Sequence, residues 1–176
     1  RDYTPIPLIL ILLLFERPSP FTATLGTLMI VLGELIRIYS VSFIGSISRT
    51  RKSSLGNDLV TQGPFRWSRN PLYLGNFFIV LGASFYSSVP WLVLLSLGLF
   101  FFQYHHIISY EESLLSQQFG EQYDDYRKQT QKWFPKKLPH LSLWEWPKEF
   151  STSLKSEKRT LLAIMVLLSL LMICAP

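Results

Sequence analysis

The sequence has few of the residues on which several common kinds of site depend. Cys174 is its single cysteine, so the chain cannot form an internal disulfide. His105 and His106 have no second ligand at the spacing of a zinc site. The chain also lacks a glycine-rich phosphate loop, a Gly-x-Ser-x-Gly nucleophile turn and a cysteine pair. These absences argue against a disulfide-stabilised domain, and we expect no metal site.

Charged residues are also scarce, at 16% of the chain, whereas hydrophobic residues make up 48%. The apolar residues lie in blocks with the charges between them, while a soluble fold would interleave the two at helical or strand period. A helix needs roughly 17–25 residues to cross the hydrocarbon of a bilayer, and the second block reaches that length outright. The blocks cover residues 6–15, 21–44, 72–85, 91–104 and 160–175.

We therefore predict an all-α fold, a polytopic integral membrane bundle of about five transmembrane helices in a single domain over residues 1–176. The first block is short, and the last, 160–175, is marginal but uncharged. The third and fourth blocks are separated only by residues 86–90, so we expect them to form a helical hairpin of two spans.

The basic residues predict the orientation of these helices. Cytoplasmic loops of membrane proteins carry an excess of lysine and arginine, and here the segments after the second and fourth blocks are basic, whereas the opposite turns hold little more than Arg17. Both segments are therefore predicted to be cytoplasmic. The net charge of +5 is explained by these flanks, without a groove-tracking stripe, so we expect a membrane partner and no nucleic acid.

The two basic segments differ in pattern. Residues 109–137 are polar, with Leu114, Leu115, Phe119, Tyr123 and Tyr126 spaced three to four apart, which predicts an amphipathic helix broken at Gly120. Residues 138–159 mix proline, serine and lysine with tryptophan, which predicts an interfacial linker lying on the lipid headgroups.

Ionisable residues within a predicted span are the first candidates for a site. Glu34 and Arg37 lie at i, i+3 on one helix face inside the second block. One interpretation is a pair that neutralises itself for assembly. The other is that Arg37 faces a polar cavity and meets an anionic group, since charged side chains inside a membrane mark functional sites.

Two polar stretches beside the apolar blocks supply further candidates. Gly63-Pro64 predicts a tight turn, and Asn70-Pro71 predicts an N-cap and first helical position, where carboxylates and phosphates bind. Glu111 and Glu112 are adjacent on a helix and diverge by about 100°, so one of them faces any given pocket. The simpler interpretations are a helix start with interfacial anchors and a solvated helix face.

In this order, the two stretches resemble the isoprenylcysteine carboxyl methyltransferase family and its relatives among membrane phospholipid methyltransferases. The resemblance covers about residues 33–135 and includes Arg37 with Tyr39 and Ser40. The family usually has histidine where this chain has Asn70, which cannot titrate near neutral pH. The motif residues are Gly63, Pro64, Arg69, Asn70, Pro71, Tyr73 and Gly75, then Glu111, Glu112, Leu114 or Leu115, Phe119, Gly120, Tyr123, Tyr126, Thr130 and Pro135.

The resemblance implies methyl transfer from S-adenosylmethionine to a lipid or lipidated small-molecule acceptor, in a cytoplasmic pocket and without a metal. It implies catalytic roles for Arg37, Glu111 and Glu112, with Arg37 orienting an acceptor carboxylate or phosphate. The implied cofactor-binding residues are Arg69, Asn70, Pro71, Tyr73, Gly75, Glu111, Glu112 and Tyr123.

Because of Arg37, we favour a carboxyl O-methyltransferase of the isoprenylcysteine type. The first alternative is an N-methyltransferase acting on a phospholipid amine. The cofactor-pocket motifs also resemble the C-terminal part of membrane sterol reductases, which use a nicotinamide cofactor. A non-catalytic membrane subunit whose basic segments bind anionic lipid is the remaining alternative. The sequence predicts no oligomeric state.

Overall fold

The computed structural model describes residues 18–44, 58–135, 145–146 and 150–174 of the chain. Within these ranges the regular structure is helical, apart from an isolated parallel bridge between Ser68 and Gln131, so the predicted all-α class is confirmed there. The predicted block at 6–15 lies outside the described residues. The helices are α1 (Pro20–Ile44), a 3₁₀ turn (Gly63–Arg66), α2 (Pro71–Tyr86), α3 (Pro90–Phe119), α4 (Glu121–Gln129) and α5 (Phe150–Cys174).

Helices α1 and α2 pack through glycines repeated every two turns. Gly26 faces Gly82, and Gly33 faces Gly75, so the two helices run antiparallel. A Cβ on Gly33 would lie 2.5 Å from the Gly75 carbonyl oxygen, and one on Gly82 would lie 2.5 Å from the Gly26 carbonyl oxygen. Any larger residue would therefore push the backbones apart. Small residues at a helix contact are typical of membrane bundles, where close backbone packing drives association.

Helix α3 continues well past the apolar block that ends at residue 104. It runs unbroken to Phe119, and Gly120, at φ +52°, ends it before α4 begins. The amphipathic helix predicted after Ser109, with a break at Gly120, is confirmed by these bounds. The apolar block predicted an end at residue 104 because hydropathy marks only the apolar part of a helix. The backbone hydrogen bonds of the helix continue into the polar stretch.

Helix α5 begins at Phe150, within the segment predicted as an interfacial linker, and not at residue 160. The start of that segment lies outside the described residues. The physical reason for the early start is a buried stripe at helical spacing: Ser153 and Glu157 are each 1% exposed, and Leu167 packs in a cluster with Ile30 and Leu92. Helix α5 therefore docks on the bundle through a polar end and an apolar end.

Two of the described helices, Pro20–Ile44 and Pro90–Phe119, are long and apolar enough to cross a membrane. Helix α2 has 16 residues, about 24 Å at the α-helical rise. Large apolar side chains on α1 and α3 face outward, including Leu28, Leu94 and Phe102, as expected of helix faces that meet lipid chains. These helices favour membrane association, and the count of five spans stays a prediction.

Candidate functional site

Arg69 joins the two polar stretches that the sequence singled out. Its Nε and Nη2 donate to Glu112 Oε1 at 3.0 and 2.9 Å. Its Nη1 donates to the carbonyl oxygens of Arg127, at 3.1 Å, and Thr130. A guanidinium suits this position because its planar fork can serve a carboxylate and several carbonyls at once. Arg69 thereby ties the start of α2 to the end of α3 and to the loop after α4.

Backbone contacts extend this junction. The Arg69 amide donates to the Gln131 carbonyl at 2.8 Å, and the Asn70 side-chain amide donates to the Lys132 carbonyl at 3.0 Å. The Tyr126 hydroxyl donates to the Phe65 carbonyl at 2.6 Å. We call this contact of residues 63–70 with 126–132 the motif junction. The structure thus brings together two motifs that are a helical hairpin apart in sequence.

Glu111 and Glu112 diverge, as adjacent helical residues must. Glu111 accepts a hydrogen bond from the Tyr73 hydroxyl at 2.6 Å, whereas Glu112 pairs with Arg69 and lies 3.8 Å from the Lys132 ammonium. Both carboxylates therefore contact residues at or just before the start of α2. The buried Tyr73 ring also packs on Tyr104, with centroids 4.9 Å apart.

The remaining predicted residues of the first motif have structural surroundings. Asn70 occupies the predicted N-cap position and Pro71 begins α2, but the Asn70 side chain makes no capping hydrogen bond. Its amide points to the loop after α4 because the Lys132 carbonyl lies there. Gly75 lies in the α1–α2 contact, where a Cβ would come 2.6 Å from Arg37 Cγ. It allows close helix packing and is away from the motif junction.

Two tyrosines of α4 lie beside the motif junction. Tyr123 is 1% exposed, and its hydroxyl has no hydrogen-bond partner among the described residues. Burial raises the pKa of Tyr123 to about 12 and also raises the pKa of Tyr126 above its ordinary value. Both phenols are therefore neutral at physiological pH and cannot act as a base there.

An open cleft of about 530 Å³ lies beside the junction. Polar residues of α3, spaced three and four apart, form one wall, and two cations form the other. Glu112 is the predicted site residue that lines it. The lining residues are Ser109, Glu112, Ser113, Ser116, Gln117, Arg127 and Lys132.

Arg37 lies apart from this cleft, in a buried cluster between helices. Its Nε is 3.4 Å from Glu34 Oε2 and its Nη2 is 2.7 Å from Glu157 Oε2, while Nη1 donates to Asn76 Oδ1. The Asn76 amide in turn donates to the Tyr104 hydroxyl at 2.9 Å. The predicted pairing of Glu34 with Arg37 is present, but it includes a second carboxylate from α5.

Sequence reasoning missed Asn76 and Glu157. Asn76 is a polar residue inside an apolar block, directly after the recognised motif, and this signal could have been used. Glu157 lies at helical spacing from Ser153 and Ile164, a pattern that extends the last apolar block toward the N-terminus. Its pairing with Arg37, 120 residues away, has no signal in the sequence.

The fold and the junction define a class: a membrane-type helical protein with a polar site built at the end of its longest helix. The model of one family, phospholipid methyltransferase, matches residues 21–122. The chain belongs to this family, because the match covers more than half of it.

The chain is also similar to individual proteins, which include metal-resistance proteins and an isoprenylcysteine methyltransferase. The chain is 33% identical to the nickel-cobalt-cadmium resistance protein NccN of Alcaligenes xylosoxydans xylosoxydans, over 64% of this chain and 49% of that protein. It is 32% identical to a protein-S-isoprenylcysteine O-methyltransferase of Tribolium castaneum, over 61% and 40%. It is 30% identical to the cobalt-zinc-cadmium resistance protein CzcN of Cupriavidus metallidurans, over 81% and 61%. The chain thus spans about half the length of these relatives.

Proposed function

We propose that this chain transfers a methyl group from S-adenosylmethionine to the carboxylate of a lipid-like acceptor, as an O-methyltransferase of the isoprenylcysteine type. The observation that carries the proposal is the motif junction. Arg69 and Glu112, from the two motifs of the resemblance, form a direct ion pair at the wall of a polar cleft. The names of relatives from Tribolium castaneum and Saccharomyces cerevisiae support the acceptor class.

The cleft suits the proposed cofactor in size and in donor set. Ligand pockets measure about 300–1,000 Å³, and this cleft measures about 530 Å³. S-adenosylmethionine carries an ammonium, a carboxylate and ribose hydroxyls. Glu112 and the α3 serines would hold the ammonium and the hydroxyls, and Arg127 and Lys132 would hold the carboxylate. Neither basic residue is among the cofactor-binding residues that the resemblance implied, whereas Arg69 is.

When bound, S-adenosylmethionine supplies a methyl group on a sulfonium, which is already electrophilic. The protein's part is therefore to align the acceptor and exclude water. A carboxylate acceptor is ionised at neutral pH and needs no base. This matches a site in which Asn70 cannot titrate, Glu111 accepts a hydrogen bond from Tyr73, and Tyr123 is kept protonated.

The membrane geometry follows from the same proposal. The basic cleft faces the cytoplasm in a multi-pass protein, as the lysine and arginine distribution favours. The acceptor's hydrocarbon tail enters sideways between helices, because it gains nothing by crossing water. The outward apolar faces of α1 and α3 are the surfaces it would follow.

A phospholipid amine is the second candidate acceptor. The family's own description names phospholipids, and Arg37 already meets the carboxylates of Glu34 and Glu157. This cluster carries one negative charge in excess if all three groups are ionised, which suits an ammonium headgroup better than a carboxylate. Amine methylation releases a proton, and Glu111 or Glu112 would have to accept it.

The test uses the detergent-solubilised protein and S-adenosylmethionine labelled in its methyl group. N-acetyl-S-farnesylcysteine supplies a carboxylate acceptor and phosphatidylethanolamine an amine. We expect label in the farnesyl cysteine ester; label in the phospholipid would establish the second candidate instead. Binding of S-adenosylhomocysteine, measured by calorimetry, should be lost in Glu112→Gln and kept in Glu121→Gln, an exposed acid on α4. Failure of the wild type to bind it would refute the proposal.

A further inference from the structure

The buried cluster around Arg37 is built from three helices. Arg37 lies on α1, Asn76 on α2 and Glu157 on α5. The Arg37 guanidinium contacts Asn76 through Nη1 and Glu157 through Nη2. Glu34, one turn before Arg37, approaches the third nitrogen. The plane of the guanidinium is therefore fixed from three sides. An arginine held in this way is oriented far more strictly than one that pairs with a single carboxylate.

Docking of α5 does not explain the carboxylate in this position. The apolar end of α5 already packs through Leu167 against Ile30, Tyr86 and Leu92. A buried ion pair costs desolvation, and its replacement by apolar groups is often neutral or stabilising. Apolar side chains in place of the whole Arg37–Glu157 pair would therefore hold the helix as well. The role of Glu157 has to be sought in what it does to Arg37.

The cluster is also connected to the motif junction. The Asn76 amide accepts from Arg37 and donates to the Tyr104 hydroxyl, so its orientation is fixed. The Tyr104 ring packs on Tyr73, whose hydroxyl contacts Glu111. A short series of side chains thus links Arg37 to a carboxylate at the start of the polar stretch.

From this arrangement we infer that Glu157 and Asn76 are positioning residues, which hold the Arg37 guanidinium in the orientation that the acceptor headgroup meets. Helix α5 lies beyond the residues matched by the family model, 21–122, and this inference makes it part of the acceptor site. The inference rests on the proposed function, because it needs an acceptor that reaches Arg37.

The decisive variant is Glu157→Gln, which keeps the size of the side chain and removes its charge. We expect the acceptor KM to rise on the order of tenfold or more, since small errors of alignment at a reacting centre cost up to about a hundredfold. The affinity for S-adenosylhomocysteine should not change, because no residue of the cluster around Arg37 lines the cleft. Asn76→Leu, which keeps about the volume and removes the amide that Arg37 contacts, should show the same division.

Two control variants separate positioning from docking. Lys155→Gln changes a charge on an exposed face of the same helix and should leave the acceptor KM unchanged. Leu167→Ala loosens the apolar end of α5 without touching Arg37. If Leu167→Ala raises the acceptor KM as much as Glu157→Gln does, the effect is helix docking and the inference is wrong.

The outcomes also separate this inference from the proposed function. The assay uses whichever probe the wild type methylates, N-acetyl-S-farnesylcysteine or phosphatidylethanolamine. A wild type that labels neither probe refutes the proposed function and, with it, a role for Glu157 in acceptor binding. A wild type that is active, together with Glu157→Gln and Asn76→Leu variants of unchanged acceptor KM, refutes the positioning role alone.

Discussion

Arg37 and Arg69 both meet a glutamate from far later in the chain, yet their surroundings differ. Arg69 pairs with Glu112, and its guanidinium also donates to two backbone carbonyls, that of Arg127 in the last turn of α4 and that of Thr130 directly after it. Arg37 is surrounded by side chains of three helices, including Glu157 and Asn76. The side chains of Arg69 and Glu112 are 9% and 13% exposed, and those of Arg37 and Glu157 are 14% and 2% exposed.

Because their surroundings differ, the two arginines have different structural roles. Carbonyl oxygens belong to the backbone, so Arg69 fixes the path of the chain between α4 and its following loop. Side chains can rotate, so the partners of Arg37 fix a charge and an orientation and leave the backbone free. Both arginines are paired with carboxylates, and the predicted role of Arg37 in orienting an acceptor stays a prediction. Arg69 builds the cleft whose anion would be held by its neighbours, Arg127 and Lys132.

The largest effect is expected from Arg37→Ala, because it leaves the carboxylates of Glu34 and Glu157 buried beside each other. Removing one partner of a buried ion pair costs about 3–5 kcal/mol. The variant should unfold at a clearly lower temperature in detergent than the wild type. Arg37→Ala combined with Glu157→Leu should recover part of that loss, since one of the two buried carboxylates is removed and Glu34 remains. A single variant as stable as wild type would show that the cluster is hydrated.

A smaller but sharper effect is expected from Arg69→Lys, which keeps the charge and loses the fork. An ammonium cannot serve Glu112 and two carbonyls together, and each buried acceptor left without a donor costs about 1–3 kcal/mol. We expect lower thermal stability and a loss of S-adenosylhomocysteine binding. At Arg37, the same change to lysine should spare that binding. Equal losses of cofactor affinity at both positions would remove the distinction between the two arginines.

The sequence predicted those features that depend on local pattern. Hydropathy located the cores of α1, α2 and α3, and glycine located the end of α3 at residue 120. The family resemblance, by its two motifs, led to the expectation that Arg69 and Glu112 share a site, and they form an ion pair. The geometry behind the resemblance could not be read from spacing, because the two motifs meet only after α2 and α3 fold back on each other.

The features that escaped prediction depend on contacts between distant elements. Glu157 could not be paired with Arg37 before the docking of α5 was known. Gly75 was predicted to bind the cofactor because the motif contains it, and its part in the close contact with Gly33 was not predicted. Asn70 was expected to cap α2, but its side chain makes no capping hydrogen bond and instead donates from its amide nitrogen to the Lys132 carbonyl of a later loop. In each case a partner outside the local window decided the role.

Asn70 gives the next test of the motif junction. Asn70→Ala removes the hydrogen bond to the Lys132 carbonyl and should cost about 0.5–1.5 kcal/mol, measured as a loss of stability in detergent. Asn70→His keeps an N–H donor and should lose less. If the loop that carries Lys132 is displaced, both variants should bind S-adenosylhomocysteine more weakly than wild type. If the loop keeps its place, their affinity should equal that of wild type. An unchanged stability in Asn70→Ala would mean that this hydrogen bond is replaced by water.

The smallest effects concern the two tyrosines beneath Arg69, and they show how far that site depends on backbone carbonyls. Tyr126→Phe loses a hydrogen bond to the Phe65 carbonyl, worth about 0.5–1.5 kcal/mol, whereas Tyr123→Phe loses a buried hydroxyl without a hydrogen-bond partner among the described residues and should cost less.

Alkaline pH gives an independent measure of the burial of Tyr123. Burial raises the pKa of Tyr123 from 10.0 to about 12, so this residue favours the folded state below pH 10 and loses that contribution as pH rises from 10 to 12. Thermal unfolding in detergent across that range should show a shallower decline in Tyr123→Phe than in wild type, and identical declines would place the hydroxyl in contact with water.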